Sequence, residues 1–182
     1  MRALLLVAGF GCALVLRLAV GGDRVATSLS AGLVFAAALV LLSLAARVRV
    51  TLSRRALLIG LGGLALVVAP VLLEQAVTLR PLRGTQGFAL WATVVLVVAS
   101  AEELFLRGAL YDAVSRARGE TAAIAMGAVL SALLHVPLYG WHVLPLDLAV
   151  GLVLGGLRQG AGTPVAPAVA HVGADWVGWF VS

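Results

Sequence analysis

The segment "WATVVLVVASAEELFLRGAL", residues 91–110, sets both the fold class and the question of function. Its first nine residues carry no charge, as expected of a helix in lipid, but Glu102, Glu103 and Arg107 then fall within six residues. Each charged side chain near a bilayer centre costs about 2.5–3.5 kcal/mol on insertion scales, so three of them offset most of the segment's apolar gain. A membrane helix that keeps such charges is a candidate for a functional site.

The whole chain has the composition of an integral membrane protein. Of its 182 residues, 62% are hydrophobic and 12% are charged, and the mean hydropathy is +1.10. A soluble domain of this size cannot hide so much apolar surface. The thirteen basic residues are all arginine, which is typical of a GC-rich genome and indicates a bacterial source. The single cysteine, Cys12, lies in an apolar run and is expected in the core.

Hydropathy divides the chain into about seven apolar spans and predicts an all-α, polytopic membrane helix bundle. Most spans approach the ~20 residues that a helix needs to cross a bilayer. No linker, repeat or low-complexity tract interrupts them, so we expect a single domain over residues 1–182, with the charged motifs in the half from 88 to 182. The sixth span is short, which indicates a tilted or partly re-entrant helix, or one that extends into its flanks. The spans are 3–20, 25–46, 56–73, 88–111, 121–138, 146–157 and 165–181.

The arginines at the span ends predict how the bundle is oriented. Eight lie on the side of the N-terminus and three on the other side. Cytoplasmic loops carry an excess of basic residues, so we expect a cytoplasmic N-terminus in a bacterial inner (plasma) membrane. The start of the first span also resembles a secretory signal, but Arg17 interrupts it and no clean cleavage site follows, so we expect the span to be retained. The eight are Arg2, Arg47, Arg49, Arg54, Arg55, Arg116, Arg118 and Arg158, and the three are Arg24, Arg80 and Arg83.

Residue spacing within the charged span predicts one ion pair and leaves one carboxylate without a partner. Glu103 and Arg107 are four residues apart, so they share a helical face and can pair. Glu102 points about 100° away from Glu103 and needs a partner from another span or a shift toward its neutral form. If this span is considered alone, a buried Glu–Arg pair that joins helices would explain its charges without a catalytic function.

Two later spans carry further ionisable side chains and favour an enzyme. His135 lies deep in the fifth span, and His171 and Asp175 are four residues apart in the seventh. Together with the glutamates they supply a base, neutral donors and a carboxylate that can hold water, in an interior where fixed dipoles act strongly. Ionisable groups buried in a membrane are functional candidates, so three such spans indicate a hydrolytic site.

These three segments resemble the CAAX protease and bacteriocin-processing family, the glutamic intramembrane proteases related to the Ras-converting enzyme. That family carries EExxxR, FxxxH and HxxxN or HxxxD in this order. Here "EELFLR", residues 102–107, matches the first motif, and "HVGAD", residues 171–175, matches the third in its aspartate form. "SALLH", residues 131–135, keeps the histidine but has Ser131 where phenylalanine is usual. The resemblance covers roughly the C-terminal half, and the first three spans carry no motif.

The resemblance implies a membrane-embedded peptide hydrolase with a role for each motif residue. Glu102 would be the general base that takes a proton from water, and His135 would hold or polarise that water. His171 and Asp175 would stabilise the oxyanion of the tetrahedral intermediate. The departure at Ser131 concerns the packing around His135 more than the reaction.

Supporting residues and partners also follow from the resemblance. Glu103 with Arg107 would lock the motif helix and keep Glu102 aimed, and no cofactor or metal is implied. The substrate would be a membrane-anchored protein or peptide, cut near a C-terminal anchor or sorting signal; no nucleic acid is expected. We expect the four catalytic side chains around one small polar cavity that opens toward the cytoplasmic half of the bilayer or sideways to lipid.

Three other functions are open on the sequence. A zinc metalloprotease could use Glu102, His135, His171 and Asp175 as ligands, although no HExxH motif is present. A transporter or proton relay also needs buried carboxylates, but transporters more often show internal repeats. A catalytically silent scaffold or immunity protein of the same fold would be expected to lose a motif residue, and every catalytic position here is filled.

Overall fold

The computed structural model describes residues 1–181, and this range is built from helices with no β-strand. Seven helices account for nearly all of it, and short 3-10 turns follow the first and precede the sixth. The helices are α1 Arg2–Gly21, α2 Leu29–Ala45, α3 Arg54–Thr78, α4 Phe88–Arg118, α5 Glu120–Tyr139, α6 Leu144–Ala161 and α7 Val165–Val181.

The predicted all-α membrane bundle is confirmed. Five of the helical stretches in the described range are long and apolar enough to cross a membrane. The other two, α2 and α7, have 17 residues each, which is at the lower limit for a transmembrane helix. The short sixth span proves to be an ordinary helix of 18 residues that extends into both flanks.

Two serines set the starts of neighbouring helices. The Ser28 hydroxyl accepts a hydrogen bond from the Ala31 amide at 3.2 Å, and Ser53 caps α3 in the same way at 3.1 Å from the Ala56 amide. Each cap satisfies one of the amides that a helix start leaves without an internal partner. Gly119, at φ 87°, joins α4 to α5 in a conformation that residues with a side chain rarely adopt.

Helix α1 turns one narrow stripe inward, and that stripe ends in a charge. Its buried residues are Leu6, Phe10, Ala13 and Arg17, at spacings of four, three and four, which lie on one helical face. Arg17 therefore continues the apolar stripe toward the interior. Cys12 lies on another face and is exposed, so the expectation that it belongs to the core is wrong.

Aromatic side chains at the centre of the bundle join the N-terminal helices to the charged helix. The Phe10 ring stacks on Phe105 with centroids 5.5 Å apart and meets Phe35 edge-on at 6.0 Å. All three rings are buried, and leucines of α1, α2, α4 and α5 surround them. Outside this core, many leucine and valine side chains face outward, as expected of a surface covered by lipid.

Helix α4 changes from α-helical to π-helical hydrogen bonding at the charged motif. Phe88–Glu103 is α-helical, Leu104–Leu110 is π-helical, and Tyr111–Arg118 is α-helical again. The helix therefore runs about two turns beyond the predicted end at residue 111. Segments of π-helix occur frequently at functional sites, and this one begins directly after Glu103.

Glycines let α6 approach α5 very closely, as its GxxxG spacing indicates. A Cβ atom on Gly151 would lie 2.8 Å from the Ala128 Cα, and one on Gly155 would lie 2.7 Å from the Ile124 Cγ2. Both distances are too short for a real side chain, so the contact requires glycine. This approach also brings the Gly151 carbonyl into the reach of α4.

Candidate active site

Glu103 is the centre of a buried network that joins three helices. Its Oε1 accepts hydrogen bonds from Arg107 Nη1 and from His171 Nδ1, each at 2.9 Å. Arg107 Nη2 also donates to the Gly151 carbonyl at 3.2 Å. Both charged side chains are almost completely buried, at 0% and 1% exposure, so each depends on the other for compensation. The predicted i,i+4 pair is present, and it links α4 to α6 and α7.

Glu102 faces away from this network and meets a charge from the other half of the chain. Its Oε1 lies 3.5 Å from Arg17 Nη1, and both side chains are buried. The Arg17 guanidinium also lies over the Phe35 ring, 5.0 Å from its centroid. The sequence requirement for a partner from another span is therefore met by α1, the first helix of the chain.

His135 pairs with an aspartate that the sequence analysis did not single out. Its Nδ1 lies 3.0 Å from the Ser131 carbonyl oxygen and 3.4 Å from Asp147 Oδ2, at the start of α6. A carbonyl oxygen can only accept, so this contact requires the proton on Nδ1 and leaves Nε2 of the neutral ring as an acceptor. A neutral ring with this tautomer can accept a hydrogen bond from a water molecule at Nε2.

The third motif forms a looser pair on α7. His171 Nε2 lies 3.7 Å from Asp175 Oδ2, which is beyond a direct hydrogen bond. Because the Glu103 carboxylate accepts from His171 Nδ1, the other ring nitrogen is left facing Asp175 and the cavity.

One cavity of about 730 Å³ brings these pairs together. Glu102, His135, His171 and Asp175 all line it, as expected, whereas Glu103 does not. The cavity is larger than the small pocket we expected, and its polar groups form separate pairs rather than one tight cluster. Arg17, Ser131, Tyr139 and Asp147 also contribute to its wall.

The cavity extends from the middle of the bundle toward one end. Its wall includes residues 26–29 before and within α2, Arg83 of the α3–α4 loop, Tyr139 at the end of α5, and Trp179 near the end of α7. All of these lie at the end of the bundle opposite to the N-terminus. With a cytoplasmic N-terminus, this end of the cavity lies on the extracytoplasmic side, so the two expectations of a cytoplasmic N-terminus and of an opening toward the cytoplasmic half do not hold together; the expected alternative, an opening sideways to lipid, is compatible with either orientation.

Arg17 and Asp147 are the site residues that motif analysis missed. Both are charges inside or at the edge of an apolar span, which is a signal of function in a membrane protein. We had treated Arg17 only as an interruption of the first span, and the partners of Arg17 and Asp147 lie 85 and 12 residues away in sequence. Such partners emerge only from how the helices pack.

The side chains proposed as zinc ligands are not arranged around a common metal position. Within residues 1–181, no set of three or more histidine, cysteine, aspartate or glutamate side chains is arranged to hold a metal ion. The four residues proposed as ligands instead form pairs with other side chains.

The fold and the cavity define a class of protein: a helical membrane bundle with paired carboxylates and histidines on the wall of an internal cavity that opens at one end. The family model described as type II CAAX prenyl endopeptidase Rce1-like matches residues 84–177, just over half of the chain. The chain belongs to this family, which is a protease family, and it is a multi-pass integral membrane protein. Comparison with the curated proteins and with the solved structures gave no match.

Proposed function

We propose that this protein is a glutamic intramembrane endopeptidase that hydrolyses a peptide bond in a membrane-associated protein or peptide, near a C-terminal anchor or sorting signal. The main observation behind this proposal is that the two adjacent glutamates lie in different environments. Glu102 lines the cavity, where water and substrate can reach it, and Glu103 is buried in an ion-pair network away from that wall. A general base must reach the proton that it removes.

In the proposed reaction, the Glu102 carboxylate takes one proton from water as the resulting hydroxide attacks the carbonyl carbon of the scissile bond. His135 Nε2 accepts a hydrogen bond from the same water and orients it. The tetrahedral intermediate collapses, the carbon–nitrogen bond breaks, and the protonated Glu102 returns the proton to the leaving amine. One water is consumed, and a new carboxyl and a new amino group are formed.

The oxyanion of the intermediate would be stabilised from α7. Because His171 Nδ1 already donates to Glu103, His171 can donate to the oxyanion from Nε2 as the doubly protonated imidazolium, and Asp175 either orients that ring or donates in its protonated form. Donors fixed in a water-poor site stabilise developing charge strongly. Glu103 and Arg107 would have a positioning role, because their network fixes His171 and the motif turn of α4.

We also infer that residues 1–182 act as one unit and that the N-terminus is cytoplasmic in a bacterial inner membrane. The contact between Arg17 and Glu102 supports the first inference, because it joins the N-terminal helix to the motif half. The excess of arginines at the N-terminal end of the bundle supports the second.

The test compares cells that produce the wild-type protein with cells that produce the Glu102→Gln variant. New protein N-termini are identified by mass spectrometry in the membrane fraction. We expect a small set of termini that depend on Glu102 and lie near the C-terminal ends of membrane proteins. The Glu74→Gln variant is the control, because Glu74 lies on the surface, paired only with an exposed arginine. Termini that are the same in all three strains would favour the catalytically silent scaffold and refute the protease.

A further inference from the structure

Most of the arginines lie at one end of the bundle, and the cavity opens at the other. Hydrogen bonds confirm that the arginine-rich loops share one end: Arg2 Nη2 donates to the Ala46 carbonyl at 2.5 Å, and Arg55 Nη2 donates to the Gly160 carbonyl at 3.0 Å. Eight of the thirteen arginines lie at this end, and three lie at the other. None of these eight lines the cavity.

The opposite end forms the rim of the cavity and has the character of a membrane interface. The Arg83 guanidinium lies over the Trp179 ring, 3.6 Å from its centroid, and the Trp179 indole donates to the Gly84 carbonyl at 3.1 Å. The Arg83 amide donates to the Phe180 carbonyl at 3.0 Å. These contacts fasten the α3–α4 loop to the end of α7. Tryptophan with a neighbouring cation is typical of the headgroup region of a bilayer.

We infer that the cavity admits its substrate from the extracytoplasmic side of the membrane. The substrate class is a protein anchored in the membrane with its cleavage site in the extracytoplasmic segment next to the anchor. This inference rests on the proposed function and specifies the face from which that site is reached. The cavity opens at the end opposite to the arginine-rich loops, and such loops stay in the cytoplasm.

The test uses single cysteines in a Cys12→Ser background and a maleimide that does not cross membranes. Asp23→Cys and Tyr139→Cys place a thiol at the cavity end, since both residues are exposed, and Arg116→Cys places one at the other end. In intact spheroplasts we expect the first two variants to react and Arg116→Cys to react only after permeabilisation. The reverse pattern overturns the inference, and so does labelling of Asp23→Cys without Tyr139→Cys, because the cavity would then be closed to that face.

The termini that depend on Glu102 provide the second arm. We expect them to map to extracytoplasmic segments of their proteins. Glu102-dependent termini in cytoplasmic segments would overturn the route of access but leave the protease intact. Absence of any Glu102-dependent terminus would refute the protease itself, so the two failures are distinguishable.

A second inference concerns Arg17 and rests on its contact with Glu102. Arg17 lies outside the part of the chain that the family model matches, yet it is 92% buried, lines the cavity and lies 3.5 Å from Glu102. Its Nε has no hydrogen-bond partner among the described residues, so its burial is explained chiefly by the two groups that its guanidinium meets, Glu102 and the Phe35 ring. A guanidinium this close to the carboxylate restrains the direction in which Glu102 points, and a general base must be aimed at the water that it deprotonates.

We propose that Arg17 is a positioning residue that holds the Glu102 carboxylate in place and directed toward the cavity. Arg17→Gln should lower kcat about tenfold to 100-fold, less than loss of the base itself, with KM little changed. Arg17→Lys should retain more activity because it keeps the charge. The control is Arg24→Gln, since Arg24 is exposed and its side chain takes no part in the site.

Chemical rescue separates this role from a structural one. Arg17→Ala removes the guanidinium from the cavity wall, and guanidinium ion at millimolar concentration should restore part of kcat. Urea has nearly the same shape without the charge and should restore nothing. Equal effects of both solutes, or a normal kcat in Arg17→Gln when Glu102→Gln is inactive, would overturn the inference. Activity in Glu102→Gln would refute the proposed function as well.

Discussion

Replacing Arg107 with leucine tests whether the buried network holds the bundle together. Arg107 contributes two side-chain hydrogen bonds, to Glu103 at 2.9 Å and to the Gly151 carbonyl at 3.2 Å. Leucine fills much of the space but leaves the Glu103 charge buried with only His171 as a partner. Breaking a buried ion pair costs about 3–5 kcal/mol. His171 continues to donate one hydrogen bond, so we expect a loss near the lower limit, about 3 kcal/mol in the free energy of unfolding.

The double variant Arg107→Leu/Glu103→Leu separates the cost of an unpaired charge from the value of the pair. It leaves no unpaired carboxylate, and relative to Arg107→Leu it loses only the His171 hydrogen bond in addition, worth about 1 kcal/mol; the Gly151 carbonyl loses its donor in both variants. We therefore expect the double variant to be more stable than Arg107→Leu by about 2 kcal/mol. The assay is equilibrium unfolding of the purified protein in bicelles, with exposed Arg116→Leu as a control that should change stability by less than about 0.5 kcal/mol. A loss below about 1 kcal/mol in Arg107→Leu, or simple additivity of the two changes, would refute the reasoning.

Three further predictions concern helix packing, the orientation of His135 and metal. Gly151→Val should destabilise the protein by about 1–3 kcal/mol in the same unfolding assay, because its Cβ would meet Ala128, whereas Gly156→Ala on the same helix has open space and should be neutral or stabilising. Asp147→Asn should lower kcat by about tenfold without loss of folding yield, because it weakens the orientation of His135; unchanged kcat would exclude this role. Proteolysis should survive dialysis against a strong chelator, and elemental analysis should find no stoichiometric zinc; a tightly held zinc whose removal stops cleavage would support the metalloprotease.

The sequence predicted the features that depend on local spacing. Glu103 and Arg107 pair as their i,i+4 separation requires, and His171 and Asp175 share a face for the same reason. The seven spans follow from hydropathy, because a bilayer demands long apolar helices. The π-helical segment after Glu103 was not predicted, since hydropathy does not distinguish five residues per hydrogen-bonded turn from four.

Contacts between helices that are distant in sequence could not be predicted from the sequence. Arg17 meets Glu102, and Asp147 meets His135, only because of how α1 and α6 pack against their neighbours. The contact between Glu103 and His171 was also not expected, since we had assigned Glu103 a role within its own helix. Unpaired charges in apolar spans indicated that partners exist, but three-dimensional packing decides which ones they are.

We propose that the two adjacent glutamates have different roles, Glu102 as the general base and Glu103 as a positioning residue. Turnover by their glutamine variants distinguishes the two roles. Wild-type, Glu102→Gln and Glu103→Gln proteins are reconstituted in liposomes with a substrate identified by its Glu102-dependent terminus, and turnover is measured per folded molecule. We expect Glu102→Gln to fold normally and to lose at least about 100-fold in kcat. Glu103→Gln should lose folding yield, while its folded fraction retains much more activity than Glu102→Gln. Near-normal turnover by Glu102→Gln, or a larger loss per folded molecule in Glu103→Gln, would contradict the account.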